Sequence, residues 1–299
     1  MREALTVRID GLLLHGTSHA GPVRKDVGIL FLNSGSLPRS SRGDLYAHLA
    51  DDLAEEGFPC FRFDLPGLGD SQGDVPDEYA EFYELVQEGE FAGTVVSLAK
   101  DIRTAYGLAG LVLAGICGGA QTSVFAASKE RGAGVAGLVL LDMPFFLYRR
   151  SPAAAAQAQD RSLLGRVRSG IAGGKARLRD WVLARKWEPQ ATKVYYGLKK
   201  ITTRTNGNAL PPDTNLPLLK ALSGLLGDGL PALLVTAHPP IPEPQSFDYI
   251  GHVAARTGGR LERARIQGTT HSFVENGGAE AVRAAVSAWL AKLPRSARG

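Results

Sequence analysis

The 299-residue sequence contains few cysteines and no long apolar run. Two cysteines, Cys60 and Cys117, are too few for a disulfide framework and fit no zinc site. No stretch reaches the ~18 apolar residues that a membrane span needs, and residues 1–10 lack the apolar core of a signal peptide. These absences predict a cytoplasmic protein that neither spans a membrane nor depends on a metal or other cofactor.

Acidic residues are scarce in one segment, although the whole chain carries a net charge of only +4. Residues 149–204 contain fourteen lysines and arginines against three acidic residues, so the remainder of the chain carries −7. Such a charge run is equally typical of a solvated helix surface and of a surface that meets acidic partners. Nucleic-acid binding is the weaker interpretation, because the segment lacks the interleaved aromatic side chains of single-strand binders.

Short apolar runs alternate with helical patterns over most of the chain. Residues 5–15 predict an opening strand pair, and runs near 27–32, 58–63, 111–114, 135–142, 230–236 and 261–266 predict further strands. His15 and His19 are four residues apart, but Gly16 and Gly21 indicate a loop there and no carboxylate or cysteine accompanies them. Cys60 falls in an apolar run, where it is expected to be a buried structural residue. The pattern predicts a doubly wound, mostly parallel α/β sheet.

The strongest motif is Gly-Ile-Cys-Gly-Gly at 115–119. It follows the apolar run 111–114 and opens a helical pattern, which is the strand–turn–helix context of a nucleophile elbow, with Cys117 in the serine position. Small residues are needed two positions before and after a nucleophile held in such a turn, and Gly115 and Gly119 supply them. The helix that begins at Gly118 should favour the thiolate form of Cys117.

With this motif, the sequence resembles the α/β-hydrolase superfamily, and within it the exosortase-system-associated and serine-aminopeptidase-like hydrolases. The segment 61–71 also resembles that family, and there Asp64 is expected to fix a loop by accepting hydrogen bonds. The resemblance implies an α/β-hydrolase core over 1–142 and 230–299. It also implies a basic helical lid over 143–229.

The resemblance implies a base, an acid and an oxyanion hole. His271, in Thr-Thr-His-Ser-Phe before the last helix, falls where the family carries its base. The loop that normally carries the acid has no carboxylate at the expected place, so Asp142, Glu243 or a Cys–His dyad without an acid remain open. Gly35 or its neighbour Ser34 should supply one oxyanion donor and Gly118 the other.

These residues predict acyl transfer through a thioester on Cys117, by a hydrolase or an acyltransferase. Attack of a thiolate on a thioester is close to thermoneutral, so we expect an activated acyl thioester or ester as substrate. Basic residues such as Arg149 and Arg150 suit coenzyme A or an acidic acyl carrier protein. An elimination or cyclisation enzyme of secondary metabolism, or a ligand-binding protein without activity, are the alternatives.

Overall fold

The computed structural model describes residues 1–23, 25–129, 134–147, 210–238, 248–249, 251–253 and 261–293. The chain divides into two compact units. The first comprises 1–147, 215–242 and 248–299, and the second comprises 148–214 and 243–247. Most of the predicted lid, 148–209, lies outside the described residues, so the lid stays a prediction. Within the part of the chain that is described, no helix is long and apolar enough to cross a membrane.

The first unit is built on one sheet whose order is β1-β2-β4-β3-β5-β6-β7-β8. The strands from β3 to β8 are parallel to one another, whereas β2 pairs antiparallel with both β1 and β4. The predicted α/β fold with a mostly parallel sheet is therefore confirmed. The strands are β1 Arg2–Ile9, β2 Leu12–His19, β3 Val27–Leu32, β4 Cys60–Phe63, β5 Gly110–Ile116, β6 Val135–Leu141, β7 Ala232–His238 and β8 Leu261–Gln267.

The loop expected around His15 and His19 is wrong, because both residues lie in β2. The two glycines that suggested a loop have packing roles instead. A Cβ on Gly16 would lie 2.7 Å from the ring of Phe63, and one on Gly21 would lie 1.9 Å from the carbonyl oxygen of Ala54. These glycines therefore allow neighbouring segments of the fold to approach closely. In the sequence, a glycine required for close packing looks the same as a glycine required for a turn.

The described helices are α1 Leu45–Glu55, α2 Tyr79–Glu88, α3 Ala92–Tyr106, α4 Gly118–Lys129, α5 Leu216–Gly227 and α6 Gly278–Leu290. They pack in two groups, with α1 against α6, and α2, α3 and α5 against α4. This grouping follows from right-handed crossovers, because the chain steps one way from β3 to β4 and the other way from β5 to β6. The direction changes between β3 and β5, and ligands of open α/β sheets bind at the carboxyl ends of strands at such a point.

The core lies between the sheet and these helices. In α1 the leucines at four-residue spacing, Leu45, Leu49 and Leu53, are all buried, as their periodicity predicts. In β5 every residue from Gly110 to Ile116 is buried, because the strand is central and covered on both faces. Cys117 directly follows this central strand and therefore lies at the carboxyl edge of the sheet.

Candidate active site

Cys117 occupies the turn between β5 and α4 with a φ of +55°, a left-handed conformation that non-glycine residues seldom adopt. Backbone hydrogen bonds hold the turn on both sides. The Cys117 N–H donates to the carbonyl of Leu141 at 3.0 Å, and the Ile116 N–H donates to the hydroxyl of Tyr46 at 2.6 Å. Tyr46 is fully buried in α1, so the turn is fixed from beneath as well as by the neighbouring strand.

The two glycines that flank Cys117 allow close backbone approach. A Cβ on Gly119 would lie 2.6 Å from the carbonyl oxygens of Leu32 and Asn33, and one on Gly115 would lie 2.3 Å from the carbonyl carbon of Gly119. Real Cβ atoms do not approach other atoms so closely, so a larger residue at either position must displace the backbone. The small residues predicted on either side of the nucleophile are therefore required by packing.

His271 lies against Asp142, which ends β6. The Nδ1 of His271 is 2.6 Å from the Oδ2 of Asp142, and the other carboxylate oxygen accepts a 3.3 Å hydrogen bond from the Ala237 N–H. Because Nδ1 is used in this contact, Nε2 remains to hydrogen-bond Cys117. The structure thus brings together three of the predicted residues in the order thiol, imidazole and carboxylate, which is the arrangement of a nucleophile with its base and acid.

The pKa of His271 is displaced strongly by this arrangement. Burial lowers it, but the negative charge of Cys117, hydrogen bonds with Asp142 and Cys117, and the charge of Asp142 together raise the pKa to about 10. The imidazole is therefore protonated at neutral pH, and its Nε2 side faces the sulfur of Cys117.

Glu275 organises the loop that carries His271. Its carboxylate accepts hydrogen bonds from the Thr270 hydroxyl at 2.8 Å, from the Thr270 N–H at 3.3 Å and from the Thr269 hydroxyl at 3.3 Å. Burial raises the pKa of Glu275, but these hydrogen bonds outweigh it and lower the pKa. Phe273, which has a φ of +57° and is fully buried, anchors the other side of the loop. The sequence showed Thr270 only as a departure from the family pattern.

Tyr83 is a site residue that sequence reasoning missed. It lies on α2, is 6% exposed, and its hydroxyl is 2.6 Å from the Sγ of Cys117. The acidic segment 72–90 could be interpreted as a solvated approach or as a rim of the site, and no spacing within it pointed to Cys117. The signal that could have found it is the spacing of Phe82, Tyr83 and Val86, which predicts one buried helix face, and all three are buried.

The residues predicted for the oxyanion hole lie together at the start of α4. A Cβ on Gly118 would lie 3.4 Å from the Cα of Gly35 and 3.5 Å from its nitrogen. Gly35 has a φ of +61° and follows Ser34, whose carbonyl accepts from the Leu37 N–H at 3.2 Å. That bond closes a turn at Ser34, and the oxyanion donor role remains a prediction for Gly35, Ser34 and Gly118.

A buried polar network fixes the loop that carries Gly35. Asp64 is fully buried and accepts hydrogen bonds from the Asn33 side chain at 3.0 Å, from the Arg39 N–H at 2.6 Å and from the Arg39 guanidinium. Asn33 in turn accepts from the Leu65 N–H at 2.9 Å. The expectation that Asp64 fixes a loop is confirmed, and the loop it fixes lies beside Cys117.

The remaining predicted site residues cannot be placed. Glu243, Arg149 and Arg150 lie outside the described residues, so their roles stay predictions. Across the ranges that the structure describes, no three His, Cys, Asp or Glu side chains are arranged to hold a metal ion.

Comparisons with known proteins agree with the fold. The family model for the alpha/beta hydrolase fold matches residues 29–180. Among solved structures, that of DcsB with its substrate analogue shares 15% identity and a TM-score of 0.66, covering 98% of this chain and 100% of DcsB. The thioesterase domain from the curacin biosynthetic pathway shares 17% identity and a TM-score of 0.58 over 97% and 99% of the two chains.

A thermophilic esterase from Thermogutta terrifontis shares 18% identity with this chain and a TM-score of 0.56, over 97% of this chain and 99% of the esterase. At such identities these likenesses show the fold. A search among curated proteins finds no match by sequence.

Proposed function

The chain belongs to the α/β-hydrolase fold family, and from this premise we propose that it is a cysteine-dependent enzyme of acyl transfer. The observation that carries the proposal is the line of contacts from Cys117 through His271 to Asp142. The contact of 2.6 Å between His271 Nδ1 and Asp142 leaves the imidazole Nε2 for the thiol. This is the geometry in which a nucleophile, a base and a third group act together.

The first half of the reaction is attack by the Cys117 thiolate on the acyl carbonyl. A new bond forms between Sγ and the carbonyl carbon, and the π electron pair moves onto the oxygen. The N–H groups of Gly35 and Gly118 stabilise that oxyanion. When the electron pair returns, the bond to the leaving group breaks, and the leaving group takes the Nε2 proton of His271. Because the pKa of His271 is raised to about 10, this proton is present at neutral pH.

In the second half His271 is a base. Its unprotonated Nε2 accepts a proton from water or from an alcohol, amine or thiol, whose electron pair attacks the Cys117 thioester. The acyl group leaves on that acceptor, and the thiolate and imidazolium are regenerated. Asp142 keeps the Nδ1 proton in place throughout, so that Nε2 faces the reaction. Water as the acceptor makes the enzyme a hydrolase, and any other acceptor makes it an acyltransferase.

An activated acyl thioester or ester is the substrate class that fits a thiolate nucleophile. Transfer between two sulfur atoms is near thermoneutral, whereas transfer from an amide to sulfur is uphill. The thioesterase and esterase among the similar folds support this class. The basic segment 149–204, with Arg149 and Arg150, supports coenzyme A or an acyl carrier protein as the group that carries the acyl chain.

A ligand-binding protein without activity was the alternative suggested by an absent acid. The contact of Asp142 with His271 supports the enzyme over that alternative, because it supplies a carboxylate where one is needed.

Intact mass spectrometry with a panel of acyl thioesters tests the proposal. The full-length protein should gain the mass of one acyl group, and peptide mapping should place that group on Cys117. A matched Cys117→Ala protein should gain none. Acylation elsewhere in the chain, or no acylation by any thioester or p-nitrophenyl ester while the protein remains folded, would contradict it.

A further inference from the structure

Helix α2 presents one of its faces to the reacting residues. The hydroxyl of Tyr83 lies 2.6 Å from the Sγ of Cys117. Val86, almost one helical turn later, lies against Gly118, because a Cβ added to Gly118 would be 3.0 Å from the Cγ1 of Val86. The helix is held in this position from its other end. The carbonyl of Gln87 accepts a 3.0 Å hydrogen bond from the Asn215 side chain, and Gly89 ends the helix against Phe125.

The ring of Tyr83 is fixed as firmly as its helix. It stacks on Tyr79 with centroids 5.4 Å apart and an angle of 26° between the rings, and only 6% of Tyr83 is exposed. A phenol held in this way loses little conformational freedom when it makes a further hydrogen bond. The position of its hydroxyl is therefore set before any substrate binds.

Two side chains share the Sγ of Cys117, and their chemistry differs. His271 holds the transferable proton and approaches from the loop after β8. Tyr83 approaches from α2, on the side of Gly118 and Gly35. A phenol remains protonated at neutral pH and can donate without giving up its proton. In the structure its hydroxyl lies 2.6 Å from Sγ, within hydrogen-bonding distance.

We propose that Tyr83 is a catalytic residue, the third donor of the oxyanion hole, which passes its hydrogen bond from Sγ to the acyl oxygen during attack. This inference rests on the proposed acyl transfer at Cys117. In the tetrahedral intermediate the acyl oxygen is two bonds away from Sγ, so a hydroxyl 2.6 Å from Sγ can turn its proton to that oxygen by rotating about the phenol C–O bond. Its approach from the side of Gly118 matches the place where the oxygen must lie.

The charge explains why the donor moves. Before attack the negative charge is on Sγ, and after attack it is on the carbonyl oxygen, because Sγ now shares its electron pair with carbon. The Tyr83 proton stays on the phenol throughout, and the proton for the leaving group comes from His271. The hydroxyl therefore follows the charge, and its hydrogen bond is stronger in the transition state than with a neutral substrate.

Two reactions of the same thiolate separate this role from a structural one. Acylation by p-nitrophenyl acetate creates an oxyanion, whereas alkylation by iodoacetamide does not. In full-length Tyr83→Phe, the ratio of the acylation rate to the alkylation rate at Cys117 should fall by ~10²-fold or more, the usual effect of removing one oxyanion donor. Tyr79→Phe, which removes a phenol hydroxyl one turn away and keeps the stacking, should leave the ratio unchanged.

Other results overturn the inference in recognisable ways. An equal change of both rates in Tyr83→Phe assigns Tyr83 to the thiolate or to packing alone, while the proposed function stands. An equal fall of the ratio in Tyr79→Phe also overturns it. A wild-type protein that is alkylated at Cys117 but acylated by no activated ester overturns the proposed function as well. If Tyr83→Phe does not fold, 3-fluorotyrosine placed at position 83 must change the ratio, and an unchanged ratio overturns the inference.

Discussion

Cys60 and Cys117 carry the same side chain in opposite surroundings. Cys60 is the first residue of β4, has no exposed surface, and its thiol donates to the carbonyl of Phe58 at 3.2 Å. Burial raises the pKa of Cys60 well above its ordinary value. Cys117 comes one residue after a strand ends, is 8% exposed, and has Tyr83 and His271 against its sulfur. We therefore expect the two thiols to differ in reactivity, because a strand in the core surrounds its side chains, whereas a turn at the sheet edge leaves them accessible.

The neighbours of Cys60 form a structural network. His19, its register partner on β2, contacts the Oδ1 of Asp51 through Nδ1 at 2.8 Å, and its Nε2 accepts from Arg62 at 2.9 Å. Burial and the charge of Arg62 outweigh Asp51 and lower the pKa of His19. Each cysteine therefore has a histidine nearby. The pKa of His19 is lowered, whereas the pKa of His271 is raised. The histidine beside Cys60 is kept neutral, and the one beside Cys117 is kept charged.

The largest difference in effect is expected between two single variants, in which one cysteine or the other is replaced by alanine. Cys117→Ala removes the nucleophile and should lower turnover by ~10⁴-fold or more. Cys60→Ala removes one buried sulfur and should cost about 1 kcal/mol of unfolding free energy, with turnover little changed. Steady-state kinetics and urea unfolding measure the two effects. Iodoacetamide should label Cys117 first, and preferential labelling of Cys60 with activity intact would reject Cys117 as the nucleophile.

Replacing His271 should give the next largest effect. His271→Ala should slow the chemical step by ~10²–10⁴-fold, because it removes the proton donor and acceptor. His48→Ala, at an exposed position of α1, is the control and should have wild-type rates. In the wild-type protein activity should fall as pH rises through about 10, where His271 loses its proton. A single-turnover rate near that of wild type in His271→Ala would remove this residue from the mechanism.

The partner of His271 can be identified by comparing Asp142→Asn with Glu243→Gln. Asn fits the positive φ of position 142 but does not hold the Nδ1 proton as a carboxylate does, so we expect a loss of up to ~10⁴-fold in turnover. Glu243→Gln should have nearly wild-type turnover. A larger loss in Glu243→Gln would reverse the assignment, and small losses in both would indicate a dyad of Cys117 and His271.

The smallest effect is expected at His19 and concerns stability. Because the pKa of His19 is lowered in the folded protein, its stabilising contribution is complete above its unfolded value of about 6.5 and is lost as pH falls below that value. The unfolding free energy should therefore fall by up to about 1.4 kcal/mol per pH unit there. His19→Gln should remove this dependence, and His48→Gln should keep it. Denaturant unfolding at pH 5–7 measures it, and the same slope in His19→Gln would contradict the assignment.

The sheet and the nucleophile turn could be predicted because their signals are local. The run 111–114, the glycines at 115 and 119, and the helical pattern after Gly118 lie within a few residues, and the helix predicted to begin at Gly118 is α4. His271 could be predicted from its place before the last helix. The turn is predicted by these local signals, whereas the role of His271 is predicted by the resemblance to the family, which carries its base in this loop.

The contacts of Asp142 and Tyr83 could not be predicted, because they depend on long-range packing. Asp142 and His271 are 129 residues apart, and Tyr83 and Cys117 are 34 apart. Sequence reasoning could rank Asp142 against Glu243 but could not show which carboxylate faces the imidazole. The helix that carries Tyr83 was obscured by the acidic residues around it, whose side chains lie outside the buried face. Gly16 and Gly21 led to the wrong prediction of a loop for a related reason. They are required by close packing between distant segments, which leaves no local pattern in the sequence.

The backbone of Asp142 has a consequence for how this protein could change over generations. Its φ of +41° belongs to a region that aspartate, asparagine and glycine adopt more readily than other residues do. Glutamate, although it keeps the charge, would fit poorly, whereas asparagine would keep the fold and lose the carboxylate. One base change converts an aspartate codon into an asparagine codon. If the proposed function holds, a lineage could therefore lose most of its activity in one step and keep its fold.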